Sequence, residues 1–167
     1  LQPPTLEEFT RIVTRLSPTI PETYYPSLYQ LSHGAAGLAI ELFQCHGLRA
    51  YEGWVSLLSR DESYESLQAF LDQAGGDKSP LDVWVYAWRT LVQRVLLVGH
   101  GANIAAPIVE GELEKLRSIA NRLGPAAVEQ WQKEGERLIA QTETFHLDRR
   151  QTLRLLATPR SLDMLVA

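Results

Sequence analysis

The 167-residue chain is 45% hydrophobic and 22% charged, enough apolar material for one good core or for a small module beside a larger one. No apolar run approaches the roughly 20 residues of a membrane span, and no basic segment followed by an apolar stretch marks a secretory leader. A net charge of −4 and a pI near 5.6 argue against a surface built to neutralise phosphates, because non-specific nucleic-acid affinity comes mostly from Lys and Arg displacing counterions. Direct nucleic-acid binding is therefore not expected.

The predicted elements are all helical, and no segment carries the alternating period of a strand. Thr5 followed by Glu8 reads as a capping box, in which each side chain satisfies an orphan backbone N–H of the first turn. Behind it Leu6, Phe9, Ile12, Val13 and Leu16 share one helical face until Ser17-Pro18 stops the run. A second helix holds Tyr24, Leu28 and Leu31, with Pro26 either in its first turn or at a kink, and ends at Gly34 in the left-handed conformation. A third spans about Ala36 to Cys45 and stops near Gly47, which makes residues 1–47 a small three-helix bundle.

From Leu48 the elements lengthen. Tyr51, Trp54, Val55 and Leu58 belong to one, and Tyr64, Leu67, Phe70 and Leu71 to the next, up to a loop at Gly75-Gly76-Asp77-Lys78. Ser79-Pro80-Leu81-Asp82 reads as a helix start, with a serine cap, proline at the first position and an acid at the positive end of the dipole. The helix it opens carries Trp84, Val85, Trp88, Leu91, Val92, Val95 and Leu96, the most apolar face in the chain. After Gly99-His100-Gly101 come a helix with Leu113, Leu116, Ala120 and Leu123, closed by Gly124, and another from Pro125 with Val128, Trp131, Leu138 and Ile139. Asp148 with Gln151 caps a last helix through Leu153 and Leu156, ended by Pro159. Residues 48–167 thus form a larger helical bundle.

Little in this pattern carries chemistry. His33, His46, His100 and His146 are scattered, and Cys45 is the single cysteine, so no metal-ligand spacing exists and no internal disulfide can form; a lone thiol fits a reducing cytoplasm. Cys45 and His46 diverge by about 100° on a helix, which argues against a nucleophile and base. The acid pairs Asp61-Glu62, Glu112-Glu114 and Glu134-Glu136 read as solvated, salt-bridged helix faces. Trp84 and Trp88 lie in a continuous apolar stripe and read as core. Gly34-Ala35-Ala36-Gly37 opens a helix, yet lacks the Gly-Lys-Ser/Thr and preceding strand of a phosphate loop. The residues point to no catalytic, cofactor or metal site.

Three segments go beyond generic helix. Leu31-Ser32-His33-Gly34-Ala35-Ala36-Gly37-Leu38-Ala39-Ile40 resembles the lid segment of bacterial clamp-loader subunits, commonly Gly-Ser-Pro-Gly-Arg-Ala-Leu. Gly47-Leu48-Arg49-Ala50-Tyr51 is similar to the Gly-Gly-Leu-x-Leu-Tyr that follows that lid. Trp131-Gln132-Lys133 through Phe145-His146-Leu147-Asp148-Arg149-Arg150-Gln151 resembles a C-terminal segment of alphaproteobacterial-type delta-prime subunits of the DNA polymerase III clamp loader, where Trp-Glu-Lys leads to Asn-Leu-Asp-Arg-Lys-Gln. The order and spacing agree across nearly the whole chain.

This resemblance implies an AAA+ lid over residues 1–47 and a collar domain over 48–167 that joins delta and gamma/tau subunits. The sliding clamp and primed DNA would be met only through the whole complex. Leu38 stands where active relatives carry the lid arginine, and it cannot pair with a phosphate; no ATP sensing, no catalysis and no cofactor are implied for this piece. ATPase activity would lie in other subunits of an assembly that serves a DNA-directed DNA polymerase. A nucleotide-binding domain with a zinc module would lie upstream, which agrees with a chain that opens on Leu1-Gln2-Pro3-Pro4 without methionine. The alternatives are delta or gamma/tau itself, or a helical adaptor unrelated to replication.

Overall fold

A computed structural model describes residues 3–60, 63–76, 79–104, 106–146 and 148–159. Among them are nine α-helices, one 3-10 turn and no strand. The helices are α1 (Leu6–Leu16), α2 (Tyr25–Leu31), α3 (Ala36–Gln44), α4 (Gly47–Ser59), α5 (Tyr64–Gly76), α6 (Leu81–Gly99), α7 (Glu112–Leu123), α8 (Pro125–Phe145) and α9 (Arg149–Leu156), and the 3-10 turn Glu22–Tyr24 leads into α2. None is long and apolar enough to cross a membrane. The Asp61-Glu62 pair, the Asp77-Lys78 part of the expected loop, Leu147 and Leu1-Gln2 lie outside the described residues.

Local signals set most boundaries. Thr5 and Glu8 form the full capping box, and the backbone and hydroxyl of Thr5 hold the Glu8 carboxyl below its usual pKa. Pro26 sits in the first turn of α2, where its missing N–H costs nothing. That helix ends through two left-handed residues, His33 and Gly34, so a histidine takes a position expected of glycine alone. His46 and His146 adopt the same conformation after α3 and α8. The start of α6 differs from expectation: the helix begins at Leu81 after Pro80, and the buried Ser79 hydroxyl caps nothing. With Pro80 one position earlier than read, Ser79 is displaced from the place where its oxygen would meet the first free N–H groups.

Among the described residues two groups of side chains make the interior. Phe9, Val13, Ile20, Tyr25, Leu28 and Ala39 pack among α1, α2 and α3. The larger group gathers around α6, which lies against α4, α7, α8 and α9. Leu31 and Leu42 from α2 and α3 belong to this larger core, and the Tyr86 hydroxyl on α6 donates to the Leu31 carbonyl at 2.7 Å. The first three helices are therefore tied to the second bundle by buried apolar contact and by a hydrogen bond.

Close approach in the larger core depends on Gly135. α8 crosses the indole of Trp88 at that residue, where a Cβ would lie 2.1 Å from Trp88 Cη2. Trp88 in turn meets Trp131 edge to face, with ring centroids 5.7 Å apart, and the Trp131 indole N–H donates to the Leu156 carbonyl at 3.0 Å. One glycine thus lets two tryptophans and the end of α9 share a single layer.

Candidate functional site

The most organised polar constellation is buried. Glu112, at the first position of α7, is fully enclosed. Arg94 of α6 grips its carboxylate with two bonds, Nε to Oε1 at 2.8 Å and Nη2 to Oε2 at 3.0 Å. The Tyr51 hydroxyl of α4 donates to Oε1, and the Ile108 backbone N–H donates to Oε2 at 2.6 Å. Arg94 Nη2 also donates to the Ala106 carbonyl at 2.6 Å. Burial first, and then the neighbouring Glu112 charge, push the Tyr51 phenol far above its ordinary pKa.

The carboxylate thus accepts from Arg94, Tyr51 and Ile108 together. The network fastens the α6–α7 loop at Ala106 and Ile108 while joining α4, α6 and α7, which gives it a positioning role. This overturns the reading of Glu112-Glu114 as a solvated pair. Glu114 is exposed, but Glu112 is the acid of a buried ion pair. An acid in a first helical turn looks like ordinary complement to the helix dipole, so sequence gave it no distinction. A findable signal was Arg94, a charge set among Leu91, Val92 and Val95 on the apolar face.

The other acidic pair, Glu134 and Glu136, engages in ion pairs as read: Glu136 takes two bonds from Arg89 and Glu134 lies 3.4 Å from Arg137. Trp84 and Trp88 are fully buried in the core, Trp84 lying edge to face against Phe70 and Trp54. Cys45 is half-buried beside an exposed His46. The histidines are not brought together: each stands at the C-terminal end of a different helix. Leu38 is half-buried and packs against the larger core.

The segment around α9 has a defined mechanical job. Asp148 caps the helix by accepting from the Gln151 N–H at 2.9 Å. Arg149 donates to the Ala74 carbonyl in the last turn of α5 at 2.8 Å, and Arg150 reaches Asp72 at 2.6 Å and Gln68 at 3.1 Å. Arg122 of α7 caps α4 in a similar way, donating to the carbonyls of Leu58 and Arg60. Two arginines therefore satisfy helix-end carbonyls that would otherwise lack partners. Neither role was legible in the sequence, because both partners are backbone atoms far along the chain.

Several recesses open on the surface of the described residues. An open groove of about 550 Å³ runs between α4 and α5 over a floor that includes Gly53 and Phe70, with Arg49, Glu52, Arg60 and Glu65 exposed along its rim. A smaller apolar hollow of about 190 Å³ lies between Leu57, Leu67 and Ala157. Along α1, Leu6, Ile12 and Leu16 remain exposed. Among the described residues no three His, Cys, Asp or Glu side chains converge as a metal site would need. Compared with family models, with curated proteins and with solved structures, the chain matches none.

Proposed function

We propose that this chain is the lid and collar region of a delta-prime-type clamp-loader subunit, a piece that assembles with delta and gamma/tau rather than catalysing a reaction. The observation that carries the reading is the ordered set of three resembling segments: Leu31–Ile40, Gly47–Tyr51 and Trp131–Gln151. Each has a defined place in the fold. The first spans the α2–α3 turn, the second opens α4, and the third supplies the Trp131 anchor and the Asp148, Arg149 and Arg150 fastenings of α9. Leu38, packed against the larger core, offers no cation to a nucleotide phosphate. A rigid helical body suits an element that holds a ring together while other parts move.

On this reading residues 1–47 act as the lid and 48–167 as the collar, working in the cytoplasm, with clamp and primed DNA engaged through the assembled complex. A competition assay tests it. Excess chain, added while a clamp loader from the same organism assembles from its subunits, should take the place of full-length delta-prime and lower ATP-dependent clamp loading in proportion to its concentration. Unchanged loading at a hundredfold excess would count against the proposal and favour an adaptor outside replication.

A further inference from the structure

We infer that Pro3-Pro4 is a strap latched onto the α2–α3 turn, so that the chain enters the first helix in one fixed direction. Three observations meet there. The Tyr29 hydroxyl donates to the Pro4 carbonyl at 2.9 Å. The Tyr29 ring is itself held edge to face against buried Phe9, with centroids 5.3 Å apart. Gly34, buried at φ +80°, faces the strap: a Cβ there would stand in ordinary contact with Pro3 Cβ and Pro4 Cδ at 3.5 Å and press on Tyr29 Cε2 at 3.3 Å.

The parts act in sequence. The left-handed turn needs a residue that tolerates positive φ, which Gly34 supplies at φ +80° with the strap lying against it. Pro4 lacks an N–H, but its carbonyl is a free acceptor, and the Tyr29 hydroxyl is the donor that reaches it. Directly after the strap, the Thr5 capping box fixes the first turn of α1. Proline rings stiffen the two residues that lead into that cap. The α2–α3 turn, whose sequence lacks the Gly-Lys-Ser/Thr of a phosphate loop, serves as an intrachain seat. On the function proposed above, the latch sets the angle at which an upstream domain joins the lid; the latch itself holds irrespective of that function.

The Pro3–Pro4 bond is trans, and a latched strap keeps one isomer, whereas a freed proline segment populates both and exchanges slowly. Nuclear magnetic resonance of the ¹⁵N-labelled chain reads this at the Thr5 amide, with thermal melting as the control for folding. The wild-type chain should give one Thr5 resonance. Tyr29→Phe, which removes only the hydroxyl, should add a second, with roughly a tenth to a third of the intensity. Gly34→Asn, which keeps a residue tolerant of positive φ but presses on the Tyr29 ring that holds Pro4, should do the same and decides the matter if Tyr29→Phe does not fold. Two Thr5 resonances in the wild-type chain, or a single one in a folded variant, would overturn the latch.

Discussion

Replacing Gly135 by alanine tests the packing of α8 with a sign that local and tertiary effects assign oppositely. Helix propensity alone favours alanine in the middle of a 21-residue helix by about 1 kcal/mol. Packing opposes it: the new Cβ would lie 2.1 and 2.4 Å from Trp88 Cη2 and Cζ2 and 3.1 Å from Leu156 Cδ2. The Trp88 indole is fully buried and backed by Trp131, so it cannot yield by turning into solvent. The helices must separate or the rings must leave their rotamers, and overpacking of this kind costs about 1–3 kcal/mol and occasionally more. An overlap this deep belongs at the upper end of that range.

After the propensity gain, a net loss of roughly 2 kcal/mol is expected, which for a domain of this size lowers Tm by roughly 4–8 °C. Urea denaturation followed by circular dichroism measures it, the midpoint falling while the slope stays unchanged. A Gly135→Ala chain as stable as wild type, or more so, would refute the argument and show that α8 does not press on Trp88.

Two further outcomes follow from the buried network. Arg94→Met leaves the Glu112 carboxylate enclosed without its countercharge and should cost about 3–5 kcal/mol. Adding Glu112→Gln should recover part of that loss, so that a double-mutant cycle gives a coupling well above zero; additive losses would contradict the paired geometry. For Tyr51, whose folded pKa is raised by burial and then by Glu112, the neutral phenol stabilises the fold. That contribution is fully present below the unfolded tyrosine pKa of about 10 and falls away above it. Urea midpoints measured between pH 8 and 11 should therefore decline faster above pH 10 in the wild type than in Tyr51→Phe, and parallel declines would contradict the assignment.

What sequence revealed and what it hid divide along a physical line. Helix starts such as Thr5 and Asp148 were legible because a cap acts within three residues, and the apolar stripe of α6 was legible because burial repeats with the turn of the helix. Ser79 misled, since a serine before Pro80 has cap chemistry but a one-residue shift removes its geometry. The buried state of Glu112 and the need for glycine at 135 depend on partners distant in sequence, Arg94 with Tyr51 and Trp88. Charge and size alone announce neither. The rim charges of the α4–α5 groove show the converse: Arg49 and Glu65 look no different in sequence from the ion-paired Arg150 and Asp72.

The most direct test of the proposed assembly role is size-exclusion chromatography with light scattering, in which this chain is mixed with collar-containing delta and gamma/tau from the same organism. A mixed complex at the summed mass is the predicted result. Separate elution of every component at micromolar concentration, repeated when the full-length subunit replaces the chain, would contradict the clamp-loader reading.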